Sequence, residues 1–101
     1  MSALIILNYD VHDTAALDRY RDDATPVLLG EGAAELVVST AETHWLPEAP
    51  AAGSRTVVLR TTSVEAALEL YHSEDYQRLV PARLAATTPR AAFVVPVLEE
   101  D

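Results

Sequence analysis

The chain has no cysteine. A disulfide framework, a thiolate nucleophile and a thiolate metal site are therefore excluded. It has no lysine either: its seven basic residues are all arginine, set against sixteen acidic ones, for a formal net charge of −9. A surface this acidic repels a phosphate backbone, so nucleic acid is not an expected partner. No basic segment introduces the N-terminus, and no apolar run approaches membrane-spanning length. The expectation is a soluble, cytoplasmic protein that does not engage a membrane. Metalloprotease, nucleophile-elbow, phosphate-loop and dinucleotide-binding motifs are all missing. The histidines, His12, His44 and His72, have no ligand spacing. Neither a metal nor a cofactor is expected. Repeats, linkers and low-complexity tracts are absent as well.

What remains is a chain of 101 residues, half of them hydrophobic and 23% charged, the composition of one folded domain over 1–101 with a modest core. Ala3 to Tyr9 is a short, continuous apolar run and reads as a strand buried on both faces. Asp13 is an N-cap for a helix to about Leu29, with Leu17, Tyr20, Ala24, Val27 and Leu28 on its apolar stripe. Pro26 should kink or divide that helix, and Gly30 and Gly32 end it. Glu35 to Trp45 reads as a second strand and Arg55 to Thr61 as a third; the loop between them holds Pro47, Pro50 and Gly53. Thr62 to Glu65 has the form of a capping box, and Ser73 opens a further helix with Glu74 and Asp75 in its first turn. Ala91 to Leu98 is the last strand, and Pro96 confines it to an edge. The acidic end, Glu99-Glu100-Asp101, reads as solubilising.

This order, βαββα(α)β, predicts an α+β ferredoxin-like sandwich. Right-handed crossovers are expected to set strands one and three side by side and parallel, with two and four outermost. Helices cover only one face of such a sheet. Yet strands one, three and four are apolar on both faces: Leu4 and Ile6 against Ile5 and Leu7, Val58 against Val57 and Leu59, and Phe93, Val95 and Val97 against Val94 and Leu98. A second copy, packed sheet against sheet, is the expected cover. The predicted assembly is a homodimer.

The segment Leu70 to Arg83 carries a family resemblance. Tyr71, Ser73, Tyr76, Gln77 and Arg83, with Asp13 and Tyr20 in the first helix, Trp45 and the strand start Arg55-Thr56-Val57-Val58-Leu59, resemble the DUF1330 family. The pattern spans nearly the whole chain. It departs at Gly32-Ala33-Ala34, where the family usually has Gly-Gly-Arg, at Thr61 in place of Phe, at Leu70 in place of Trp, and at His72 in place of Asn or Asp. The resemblance implies a dimeric α+β barrel. Related barrels include cofactor-free monooxygenases, isomerases and polyketide cyclases, a fold-level comparison that does not fix an activity.

Arg83 is the sharpest local anomaly, a charge on the apolar face of Tyr76, Val80 and Leu84. It must meet a carboxylate, a carbonyl or a ligand anion. It reads as half of a structural ion pair, as a snorkelling stem, or as a pocket-lining anchor for a carboxylate or enolate. A second group comes from the expected topology. Asn8, Asp10 and His12 end strand one, and Arg60 lies near the end of strand three, so parallel strands bring them to one edge. Asp10 then pairs with Arg60 or orients His12 as a general base. Trp45 stands at the loop start, either packing or flanking a ligand. His72 sits at a helix break beside Ser73 and Asp75, placed to cap structure or to exchange protons. Tyr20 and Tyr76 fall on helix stripes, where a buried phenol needs a partner or a substrate carbonyl.

Two functions follow as expectations. One is a cofactor-independent enzyme of isomerase or cyclase kind, moving a proton on a small hydrophobic or carbonyl substrate between helices and sheet. His12, Asp10, His72 and Arg83 are its catalytic candidates, and Asn8, Tyr20, Trp45, Arg60 and Tyr76 its binding candidates. The other is a non-catalytic homodimer that binds a ligand or assists a partner.

Overall fold

A computed structural model describes residues 1–49 and 53–98. Pro50 and the acidic end Glu99-Glu100-Asp101 lie outside the described residues. The elements are β1 (Ala3–Val11), α1 (Thr14–Leu29), a 3-10 turn (Gly30–Gly32), β2 (Glu35–Thr40), β3 (Arg55–Thr61), α2 (Val64–His72), α3 (Glu74–Gln77), α4 (Val80–Ala86) and β4 (Thr87–Pro96). They form a four-stranded sheet in the order β2-β3-β1-β4, with helices on one face. This is the ferredoxin-like α+β fold.

All three strand pairings are antiparallel, including β1 with β3. The expected parallel neighbours are corrected here. The α1 crossover carries the chain from β1 to β2 and leaves one strand's width between them. β3 turns back from β2 into that gap, so it runs against both. Tyr9 therefore faces Arg55 across the ladder, and Leu4 faces Arg60. The ends of β1 and β3 lie at opposite edges of the sheet.

Local chemistry sets the helices. Asp13 Oδ1 accepts the Ala16 amide at 3.0 Å and opens α1. Pro26 does not divide that helix: the missing proline amide removes one hydrogen bond near its end, yet the helix runs on to Leu29, and Gly30 closes it on the Pro26 carbonyl. Glu31 and Gly32 turn the chain at φ 57° and 74°. α2 is capped by Ser63, whose Oγ accepts the Ala66 amide at 2.9 Å, and not by Thr62. β2 stops at Thr40, five residues short of Trp45. β4 starts at Thr87, four residues before Ala91, because a bulge between Asn8 and Tyr9 absorbs Arg90 and lets pairing continue.

The core lies between sheet and helices. Ile5, Leu7 and Tyr9 of β1 and Leu59 of β3 meet Leu17, Tyr20 and Ala24 of α1, Ala67 of α2, Tyr76 of α3 and Val80 of α4. The other face carries Leu4, Ile6, Val58 and Val95, half-buried, and Phe93, 47% exposed.

Candidate functional site

Six elements bring aromatic and cationic side chains to one end of the core. β1 supplies Tyr9, β3 supplies Arg55, α1 supplies Tyr20 and Arg21, α2 supplies Tyr71, α3 supplies Tyr76 and α4 supplies Arg83. Ser73 makes the bend that turns Tyr76 inward. Its Oγ donates to the Leu70 carbonyl at 2.7 Å and accepts the Tyr76 amide at 3.2 Å, closing α2 and opening α3. The Thr87 hydroxyl donates to the Arg83 carbonyl at 2.7 Å and ends α4. The Tyr20 and Tyr76 hydroxyls lie 2.6 Å apart in a buried hydrogen bond. The Tyr71 ring packs against Tyr76 at 5.6 Å.

Arg83 is 3% exposed, and its Nε has no hydrogen-bond partner among the described residues. Burial works against its charge. The neighbouring phenols of Tyr76, Tyr20 and Tyr71 work the other way and outweigh burial, so its proton is held more firmly than in a free arginine. Ion pairs among the described residues join Arg78 to Glu74 and Asp75, and Arg90 to Asp10. Arg83 is in none of them, so the ion-pair reading of it finds no partner among the described residues.

Arg55 repeats the pattern. Its Nη2 donates to the Ser39 hydroxyl at 2.8 Å, and its buried Nε has no acceptor among the described residues. Tyr9 is raised above the ordinary phenol range by burial, opposed by Arg55, Arg83 and Arg21. Tyr20 is raised further, by burial first and by Tyr76 second, with Arg83 opposing. Both phenols stay protonated at any ordinary pH and serve as donors, not bases.

Tyr9, Tyr20 and Arg21 form one wall of a cavity of ≈80 Å³ between α1 and the sheet. Leu28, Leu36 and Leu59 supply apolar lining. A second groove, ≈350 Å³, runs between α2 and β4, with Tyr71 and His72 on its wall. Arg83 lines neither. It stands behind Tyr20 on one side and Tyr71 on the other.

The other candidates are dispersed. Asp10 does not pair with Arg60: its carboxylate meets Arg90, 2.7 Å from Nη2 and 2.8 Å from Nε. It does not orient His12, whose exposed ring bonds the Thr88 hydroxyl. Arg60 lies at the opposite edge and donates to the Ser2 hydroxyl at 3.1 Å. Antiparallel strands cannot gather these groups. His72 stacks edge-on against Tyr71 at 5.2 Å, while Asp75 turns to Arg78. Asn8 is buried and fully committed, bonding Gly53, Arg55 and Thr56. Trp45 donates to the Gly53 carbonyl at 3.0 Å and, with Ile6 and Phe93, lines a broad groove of ≈550 Å³ on the open sheet face. The structure places Arg83, Tyr20 and Tyr76, each singled out in the sequence, beside one another, and adds Arg55 and Arg21, which the sequence did not single out as site residues. Strand alternation carries the signal for Arg55, since it shares a face with Val57 and Leu59.

A cluster of phenols and unpaired guanidiniums beside an apolar cleft, on a ferredoxin-like sheet, defines a small α+β domain with a donor-rich interior. Residues 2–97 match the family model "Domain of unknown function (DUF1330)", and the chain belongs to that family. The structure is similar to that of the RPA0582 protein of unknown function from Rhodopseudomonas palustris, with a TM-score of 0.75 and 16% identity over 98% of this chain and 84% of that one. It is also similar to methylated RPA0582 protein, with a TM-score of 0.69 and 18% identity over 97% and 82%. None of the curated proteins matches the chain.

Proposed function

We propose that the protein binds a small, mostly apolar molecule bearing one anionic or strongly accepting oxygen, in the cleft between α1 and the sheet. One observation carries this reading. The cleft wall sets the buried phenols of Tyr9 and Tyr20, both held protonated by burial, beside Arg21, and no carboxylate is among the lining residues. Phenol and guanidinium donate hydrogen bonds, and an anionic or strongly accepting ligand oxygen against that wall accepts them. The lining of Leu28, Leu36 and Leu59 suits an apolar body. The binding form is a homodimer closed sheet to sheet into a barrel, supported by the half-buried Leu4, Ile6, Val58 and Val95 and the exposed Phe93.

The test is a calorimetric comparison of octanoate with octanol, beside native mass spectrometry of the purified protein. Octanoate binding and a dimer mass are the expected results. Equal affinity for the two, or binding of neither, refutes an acceptor site.

Cofactor-independent proton transfer of isomerase or cyclase kind is the second reading. It is supported by His72, a base on the wall of the α2–β4 groove beside Tyr71. Deuterium exchange at the α-carbon of a simple ketone in heavy water, followed by NMR and lost in His72→Ala, is its expected signature.

A further inference from the structure

Two cavities flank one residue of the central strand. Leu7 is 5% exposed and, among the described residues, alone lines both the ≈80 Å³ cleft beside α1 and the ≈350 Å³ groove beside α2. The sheet register explains why. Leu7 faces Val57 of β3 on one side and Ala92 of β4 on the other, and residues directly opposite in an antiparallel ladder share a face. Val57 belongs to the cleft and Ala92 to the groove, so the row Val57-Leu7-Ala92 crosses from one cavity to the next. The helices make the same crossing. Tyr20 of the cleft wall bonds the Tyr76 hydroxyl at 2.6 Å, and the Tyr76 ring packs at 5.6 Å against Tyr71 of the groove wall. An apolar cavity of about 150 Å³ takes benzene, so the cleft alone holds a body of only a few carbons. The groove falls within the size range of small-molecule sites.

We propose that Leu7 is the specificity-determining residue of the binding site: it partitions the interior and limits the ligand class to short-chain anions of about the size of butanoate. This rests on the cleft reading above and adds its size limit. With the ligand oxygen at Tyr9, the apolar body meets Leu7 about 7 Å along β1, two residues away on the same face. A longer chain then has two ways on. It leaves by the cleft mouth into water, where added methylenes gain nothing, or it displaces a buried leucine, which a close-packed core resists.

The experiment titrates butanoate, hexanoate, octanoate and decanoate into the full chain. Methyl NMR shifts give the affinity and the place, Val57 reporting the cleft and Val94 the groove. In the unaltered protein affinity is expected to level off after the shortest members, and only Val57 should shift. Leu7→Ala should continue the rise, by up to about fourfold per added methylene, and octanoate and decanoate should then shift Val94 as well. Ala92→Phe, at an exposed position of the groove, should leave binding to the parent within about twofold. Added to Leu7→Ala, it should restore the levelling. Leu7→Ala removes core volume, so Leu7→Val is the companion variant if the first does not fold. It should raise the affinity for decanoate relative to butanoate by about threefold over the parent. A levelling point unchanged in the Leu7 variants, or Val94 shifting in the unaltered protein, overturns the partition and leaves the cleft reading standing. Failure of every alkanoate to bind overturns both.

Discussion

Asn8 and Gly53 exchange two hydrogen bonds across 45 residues of sequence: Asn8 Nδ2 donates to the Gly53 carbonyl at 3.0 Å, and the Gly53 amide donates to Asn8 Oδ1 at 2.9 Å. The same amide group also reaches the Arg55 carbonyl at 3.1 Å and the Thr56 hydroxyl at 3.0 Å. One buried side chain thus fastens the end of the β2–β3 loop to the middle of the sheet. Gly53 tolerates no side chain. A Cβ there would lie 2.5 Å from Asn8 Oδ1 and 2.7 Å from the Tyr9 carbonyl carbon.

Gly53→Ala is therefore expected to cost about 3 kcal/mol, since backbone has to shift and two buried bonds are lost. Asn8→Ala should cost a similar amount. Urea denaturation checks both. A loss under about 1 kcal/mol for either would mean that the clamp is slack.

Arg83→Met should behave oppositely. The charge is buried with no carboxylate beside it among the described residues. An apolar side chain of like length then removes desolvation cost and is expected to leave stability within about 1 kcal/mol of the parent, or above it. Anion binding should fall while the midpoint of unfolding holds. Collapse of the fold would instead make Arg83 a structural keystone.

Alkaline titration has a definite sign. Tyr20 and Tyr9 ionise above the ordinary value of 10.0 in the fold, because burial opposes the phenolate. Stability from these groups is complete below that value. Above it the unfolded chain releases protons that the native chain retains, so stability falls as pH rises. Circular dichroism at rising pH should show unfolding on the alkaline limb, and Tyr20→Phe should flatten that limb. An unchanged limb in the variant would contradict the burial argument.

Phe93→Asp addresses the open face. Phe93 is 47% exposed and shares that face with Ile6, its partner across β1 and β4. A carboxylate placed between two apolar sheets has no partner there. Sedimentation should show a dimer for the parent and a single subunit for the variant, with far-ultraviolet dichroism unchanged. Equal masses would place any dimer contact elsewhere.

Much of the fold was written locally. The Asp13 cap, the α1 stripe, β3 and the break at Ser73 are each set by neighbours in sequence, and the structure reproduces them. The capping position slipped by one residue, from Thr62 to Ser63, because both hydroxyls can accept and the strand's length decides between them. Strand direction was less accessible. Both central strands are apolar whichever way they run, so pattern alone could not exclude the parallel pair, and the grouping of Asp10, His12 and Arg60 fell with it. Arg83 stood out because a charge on an apolar stripe is a conflict at any register. Arg55 did not, because its partner Tyr9 is fixed only by antiparallel register.

β4 is an outer strand that carries both Pro89 and Pro96. A proline offers no amide proton, so a newcomer docking along that rim would find gaps where it needed donors. Chains of this protein are thereby steered away from lateral, ribbon-like growth. The proposed pairing through the broad flank would end once that flank is used up, which would favour finite particles over fibres.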